Sequence, residues 1–232
     1  MKRTHLITGD FFKGIPISTF ETDEKELPLE YGDLSEMMAE ALLVLDFQKR
    51  NFKYVSNHEL CLCGHTQESV MAQGYEFFED AVFPDDLNLW IDMHNKILKC
   101  LYCDELPADK INYFACTFRV KNSFSGVDKT QYIMVYLKLK PKWLNGQLRY
   151  GICLLSGSVV PKPDNLRVYY HNRDYAEYSS DTGRWTHCSF SPLRKREREM
   201  LVWIQQGLSQ KEMADTMCVS VNTIEHMRYI LF

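Results

Sequence analysis

The chain contains no apolar run of the roughly 18 residues that a membrane-spanning helix needs. Its opening residues, MKRTHLITGD, are basic but have no apolar stretch behind them, so no export signal is expected. It also lacks the charge of a general nucleic-acid coat protein: 27 basic against 31 acidic side chains leave −4, with a pI near 6.0. Missing too are the strings of common enzyme sites, among them Gly-x-Ser-x-Gly, Gly-x-Gly-x-x-Gly, the Walker phosphate loop and His-Glu-x-x-His. A phospho-acceptor receiver would need alternating strands and helices around a parallel sheet, and the chain has hairpins instead. These absences point to a cytoplasmic protein that is neither an enzyme nor held in a membrane.

Aromatic residues are plentiful: thirteen Tyr, thirteen Phe and four Trp indicate a packed core rather than disorder. The eight cysteines, at positions 61, 63, 100, 103, 116, 153, 188 and 218, read as reduced thiols in a chain without an export signal. Cys100 and Cys103 form a lone C-x-x-C. Zinc would want four ligands. His94 lies six residues before Cys100, and a redox pair is a further alternative, but two small half-buried thiols are the preferred reading. No cofactor is required by the sequence, and none can be named from it.

Residues 1–33 mix Pro, Glu, Asp and Lys with a few aromatics, and read as an extended arm draped over the domain that follows. LSEMMAEAL at 34–42 has helical composition with Ser35 as a possible cap; LLVLDFQ at 42–48 is a strand unless Ala-Leu-Leu extends that helix. FKYVS at 52–56 alternates like a second strand. Short helices follow, one from Asn57 and one capped by Thr66. Asp86 is placed to cap a long helix over 87–102, with Leu87, Trp90, Ile91, Ile97 and Leu98 on its apolar face. The pair Asp85–Asp86 is explained by capping without catalysis. Then come three β-rich segments, INYFACTFRVKN, TQYIMVYLKLKP and QLRYGICLLSGSVV, joined by SFSGVD and KWLNG, which carry hairpin-turn residues. After the Pro-rich VVPKPDN, residues 163–190 read as a linker with a hairpin around Asn172-Arg173-Asp174.

From Leu193 onward the pattern is purely helical. A first helix over about 194–206 stops at Gly207, with Met200, Leu201 and Ile204 inward. Ser209 and Glu212 form a capping box for a second helix over about 210–217, with Met213, Ala214 and Met217 inward. Cys218-Val219-Ser220 make a tight turn into a third helix over 221–231, with Ile224 and either Met227 or Leu231 inward. A short helix, a tight turn and a capped third helix are the elements of a helix-turn-helix. Residues 191–232 carry six basic and five acidic side chains, so DNA binding has to rest on where charge sits rather than on its amount. An Arg196–Glu197 cluster is expected to tie the first helix to the third by an ion pair.

Three stretches at matching spacing carry a family resemblance: LRKREREML at 193–201, GLSQKEMA at 207–214 and VSVNTIEHM at 219–227. The segment resembles the LuxR-type (FixJ- or NarL-type) helix-turn-helix domain of bacterial transcriptional regulators. The resemblance implies that the third helix enters the major groove and that the starts of the second and third helices meet phosphates. Carried onto these residues, Lys211 and Thr223 become phosphate partners, and Asn222, Glu225 and His226 stand near the groove. Glu225 can accept from a cytosine amino group, and Arg228 can reach either a base or the backbone. Three departures stand against the family pattern. Glu225 occupies a place where Lys is usual. His226 sits one position before the usual His, where Met227 stands. Phe232 is reached before the fourth helix that the resemblance implies, which packs on the module and contributes to dimerisation.

Residues 40–162 order themselves as strand, strand, short helices, long helix and three antiparallel strands. With Leu62-Cys63-Gly64 and Phe83-Pro84-Asp85-Asp86 at family positions, this stretch is similar to a PAS sensory domain. The fold expected is thus α+β: a PAS-like five-stranded antiparallel sheet with helices, followed by an all-α helix-turn-helix domain at 191–232, with residues 1–39 as an N-terminal arm. The resemblances imply a one-component transcriptional regulator that binds double-stranded DNA as a homodimer and can take a small-molecule ligand in its PAS-like domain. The alternative is a ligand-sensing or protein-interaction module whose helical tail does not bind DNA. Were the sensor of the haem type, His94 would be the nearest ligand; a hydrogen-bonded or exposed histidine is the preferred reading.

Overall fold

The computed structural model describes residues 10, 11, 13, 31–103, 106–122, 131–160, 162–163, 165–190 and 192–231. Most of the expected N-terminal arm and the expected SFSGVD turn lie outside them. The chain divides into two compact units, Met1–Ser189 and Phe190–Phe232. Among the described residues no helix is long and apolar enough to cross a membrane.

In the first unit a short helix, α1 (Tyr31–Glu36), precedes strands β1 (Ala41–Asp46) and β2 (Asn51–Val55). The helix therefore starts ahead of the stretch that composition favoured and takes in only its first three residues, 34–36. Ser35 does not cap it: its hydroxyl donates to the Gly32 carbonyl and meets the Tyr54 hydroxyl at 2.7 Å. Helices α2 (Glu59–Leu62), α3 (Gln67–Gln73), α4 (Phe77–Ala81) and the long α5 (Pro84–Tyr102) follow. Thr66 caps α3 as expected, accepting from the Ser69 N–H at 3.2 Å. The Leu62-Cys63-Gly64 turn runs left-handed, with φ of 50° at Cys63 and 90° at Gly64.

Strands β3 (Ile111–Asn122), β4 (Gln131–Leu144) and β5 (Gln147–Gly157) then return antiparallel. The β4–β5 hairpin turns on Asn145 and Gly146, with φ of 51° and 77°. Two successive positive φ values define the tight turn whose twist suits a hairpin, and Asn-Gly supplies them at little steric cost. Strand order β2-β1-β5-β4-β3, with the helices inserted between β2 and β3, gives the five-stranded antiparallel sheet with helices expected of residues 40–162.

The sheet does not end there. β6 (Arg167–Tyr170), β7 (Tyr175–Ser179) and β8 (Arg184–Cys188) continue it, giving eight strands in the order β2-β1-β5-β4-β3-β6-β7-β8 among the described residues. Residues 167–188, read from sequence as a hairpin in a linker, are joined to the sheet because β6 pairs with the other edge of β3, Phe114 opposite Val168. That edge would otherwise expose unpaired N–H and C=O groups.

All six residues of β1 are buried. Ala41, Leu43 and Leu45 face the main core under the helices, while Leu42 and Val44 pack with Tyr150, Tyr31 and Tyr54 on the opposite face. Strict alternation places both sets. On α5 the expected apolar face is inward: Trp90, Ile91, Ile97 and Leu98 are buried and Leu87 packs at the margin.

Asp86 departs from its expected role. Pro84 occupies the first turn of α5, where a missing N–H costs nothing. Asp86 is instead buried, accepting from the backbone N–H and the Nε of Arg119 on β3, both at 2.9 Å. That hydrogen bonding holds the guanidinium pKa above its ordinary value. Asp46 makes a similar strut: one oxygen accepts from the N–H groups of Gln48 and Lys49, and the other meets buried Arg149 at 2.9 Å. Replacing Asp86 by alanine leaves the Arg119 backbone donor unpaired and takes the carboxylate from a guanidinium about a third exposed. Urea unfolding should show a loss of about 2 kcal/mol. A loss within about 0.5 kcal/mol, ordinary for a surface substitution, would contradict the strut.

Candidate functional site

The second unit contains three helices, α6 (Lys195–Gln205), α7 (Gln210–Met217) and α8 (Val221–Leu231). Local signals set each boundary. Gly207 follows α6 with φ of 82°, a conformation that glycine adopts without strain. The Ser209 hydroxyl accepts from the Glu212 N–H, and the Glu212 carboxylate accepts from the Ser209 N–H at 2.8 Å. The Ser209 hydroxyl also donates to that carboxylate at 2.7 Å, and this bond, with the one from the Ser209 N–H, holds the exposed Glu212 carboxyl below its ordinary pKa. Cys218 takes the left-handed conformation, and Val219 N–H donates to the Ala214 carbonyl at 3.0 Å, closing the turn. Ser220 Oγ then accepts from the Thr223 N–H at 3.2 Å and caps α8.

A small core holds these helices: Met200, Met213, Ala214 and Ile224 are buried, with Trp203, Ile204, Leu208, Met217, Val219 and Met227 packed around them. Ala214 is small enough for α7 and α8 to cross closely. Trp203 contributes where sequence reasoning put Leu201. The expected ion pair between the first and third helices is corrected: Glu197 accepts from the Arg194 N–H at 2.7 Å and so serves the start of its own helix. A carboxylate in the first turn is better placed for that local bond than for reaching across the module.

Lys211, Asn222, Thr223, Glu225, His226 and Arg228 are all exposed. Taking Ile224 as the inward direction of α8, a turn of 3.6 residues aims Asn222 and His226 within about 20° of straight outward. Tyr229 follows within about 40° and Glu225 stands at the flank, about 100° from Ile224. Tyr229 was missed from the sequence, yet it is 85% exposed; an aromatic on an outward stripe was the available signal. Arg228 emerges only about 40° from Ile224, so it belongs to the side of the helix rather than to the stripe. Thr223 lies in the first turn beside Ser220, their hydroxyls 2.9 Å apart, and Lys211 lies in the first turn of α7. The backbone donors of these two helix starts and the Lys211 ammonium suit phosphate oxygens. The polar stripe on α8 suits base edges.

The interior of the first unit is an aromatic box between sheet and helices. Trp90 stacks on Phe118 at 4.6 Å, and Phe52, Tyr75, Phe78 and His94 close the box. Its centre is filled by Phe11, which is completely buried. The Phe11 ring lies 5.1 Å from both Tyr75 and His94 and 5.6 Å from Phe78. Both His94 nitrogens are engaged: Nδ1 lies 3.1 Å from the Phe11 carbonyl and Nε2 3.3 Å from the Tyr75 hydroxyl. The carbonyl fixes the tautomer, with the proton on Nδ1 and Nε2 accepting from tyrosine. Burial pushes the imidazole pKa down to about 3. An open, mainly apolar pocket of about 670 Å³ lies elsewhere on this unit, between Leu106, Lys110, Tyr170 and His187. Of the C-x-x-C pair, Cys100 is buried and Cys103 exposed.

Residues 191–231 match the family of bacterial regulatory proteins, luxR family. No curated protein matches the chain. Among solved structures, the chain is similar to a PAS domain from a two-component sensor histidine kinase. The identity is 14% and the TM-score 0.36, over 54% of this chain and 91% of that one. It is also similar to the VqmA dimer of Vibrio cholerae, a LuxR-type receptor, solved in the absence of target DNA. There the identity is 15% and the TM-score 0.38, over 88% of this chain and 80% of that one. A VqmA–ligand–DNA complex gives 15% identity and a TM-score of 0.39, over 89% and 81%.

Proposed function

From a chain whose residues 191–231 are a luxR-family helix-turn-helix domain, we propose a DNA-binding transcriptional regulator of one-component type, in which a PAS-like sensor governs that output domain. The observation that carries it is the C-terminal unit itself: three capped helices expose Lys211, Asn222, Thr223, Glu225 and His226 while burying Ile224. Sensing is assigned to residues 40–162, extended by the strands within 163–190. The regulator works in the cytoplasm as a homodimer on a roughly palindromic duplex, the usual match between two-fold protein symmetry and half-site repeats. It performs no catalysis.

Roles divide between phosphate and base contacts. Lys211→Ala should weaken binding on every duplex by a similar factor and lower the salt slope by about 1. Glu225→Gln should change which duplexes are preferred, because a carboxylate on the groove side repels the backbone unless a base amino group meets it. Anisotropy titrations of both variants against a panel of duplexes check this. Wild-type affinity and preference in both would remove α8 and the start of α7 from the interface.

The second reading, a sensing or interaction module whose helical tail does not bind DNA, is favoured by exposed Glu225 and by the near balance of six basic and five acidic side chains in residues 191–232. Failure of the wild-type chain to bind any duplex in the panel selects it.

A further inference from the structure

Phe11 is an unusual core residue. It enters the interior from far ahead of β1, yet it is completely buried. Asp10 and Lys13, close to it in sequence, are exposed. Of the described residues at this point, Phe11 alone is inserted.

The surroundings fit a guest better than a structural filler. Tyr75, Trp90 and His94 meet the Phe11 ring edge-on, at interplanar angles of 67°, 66° and 89°, so the box is shaped for one planar ring. Apolar packing alone would need no polar partner. Here a buried hydrogen-bond chain runs from the Tyr75 hydroxyl to His94 Nε2, and from Nδ1–H to the Phe11 carbonyl. Phe11 presents one ring to the aromatic walls and one acceptor to His94 Nδ1–H together. A buried polar relay of this kind is costly to leave unsatisfied, so whatever takes the ring's place must bring an acceptor with it.

Resting on the sensory reading above, we propose that Phe11 is an internal stand-in for ligand: it occupies the place that a neutral, single-ring aromatic molecule bearing a carbonyl-type acceptor takes when the sensor is loaded. Binding exchanges one ring and one hydrogen bond for another and expels Phe11 from the box. The affinity measured for such a ligand is therefore reduced by the fraction of time that Phe11 holds the site. A carboxylate is disfavoured, because burying a full charge beside uncharged aromatic walls costs far more than one hydrogen bond returns.

Benzamide and benzoate are suitable probes, used on the full chain. Calorimetric titration of wild type and Phe11→Ala should show benzamide binding to both, about tenfold or more tighter in Phe11→Ala, and benzoate binding to neither. With 4-fluorophenylalanine at position 11 of the otherwise unchanged chain, saturating benzamide should move the fluorine resonance from a buried to a solvent-exposed shift. This second readout does not depend on Phe11→Ala folding. The proposal is overturned if benzamide binds neither protein, if benzoate binds as well as benzamide, or if benzamide binds without moving the fluorine signal. The last outcome would place it in a site such as the open pocket beside Lys110. None of these outcomes bears on duplex binding, so the regulator reading stands or falls separately.

Discussion

Ile224→Ala is expected to unfold the C-terminal unit and abolish duplex binding while the N-terminal sheet stays folded. Ile224 is completely buried, and only Met200, Met213 and Ala214 are buried with it in its core among the described residues. Truncating a buried isoleucine costs about 2–5 kcal/mol, the lost transfer energy plus the cavity left behind. A unit of about 40 residues rarely has more than about 3–5 kcal/mol from its core to lose. The exposed neighbour Val221 supplies the control, since Val221→Ala should change stability by no more than about 0.5 kcal/mol. Backbone amide spectra of the two variants separate the outcomes. Loss of the α6–α8 resonances in Ile224→Ala alone is the expected result; a well-dispersed set in that variant would mean that Ile224 is not central to the module.

Acid should destabilise the first unit through His94. The folded protein holds this imidazole neutral down to a pKa of about 3, because burial penalises the charged ring. In the unfolded chain the same group takes up a proton near its ordinary value, about 6.5. Between those limits the unfolded state binds more protons, so stability is fully present above pH 6.5 and declines as the pH falls toward 3. Tyr75, which shares the ring, is pushed further above its ordinary pKa by burial and stays neutral throughout. Going from about pH 7.5 to 5.5 should cost about 1.4 kcal/mol through His94. His94→Gln keeps a polar side chain without the titration, so its loss over the same interval should be smaller by that amount. Equal losses in both proteins would mean that the imidazole titrates freely in the folded state.

What could be read in the sequence was decided by short-range chemistry. Ser209 and Glu212 sit three residues apart and satisfy each other's backbone donors, so the start of α7 was legible before any fold was known. Asn145-Gly146 carries its own turn geometry in the same way. The extension of the sheet was not legible, because whether residues 167–188 stand alone or join β3 depends on a free edge more than forty positions upstream. Asp86 misled for a related reason. Helix-start position and apolar spacing offered it a local role, while Arg119, its partner, is 33 residues away. Phe11 gave no periodic signal, because it is one of two adjacent phenylalanines with no apolar repeat on either side. On α8 the candidates named for their chemistry were also exposed, yet only helical angle separates the outward stripe from Arg228 and brings Tyr229 into it.

Regulation by this protein requires that the exposed face of α8 and the start of α7 hold a duplex. An equilibrium titration of the unmodified chain against duplex DNA, repeated across salt from about 50 to about 200 mM, tests this most directly. Phosphate contacts release condensed counterions, so the logarithm of affinity should fall linearly with the logarithm of salt, with a slope of about −0.9 for each phosphate neutralised. Measurable binding with a steep negative slope is the predicted result. No binding at the lowest salt, with circular dichroism showing the helices intact, would contradict it.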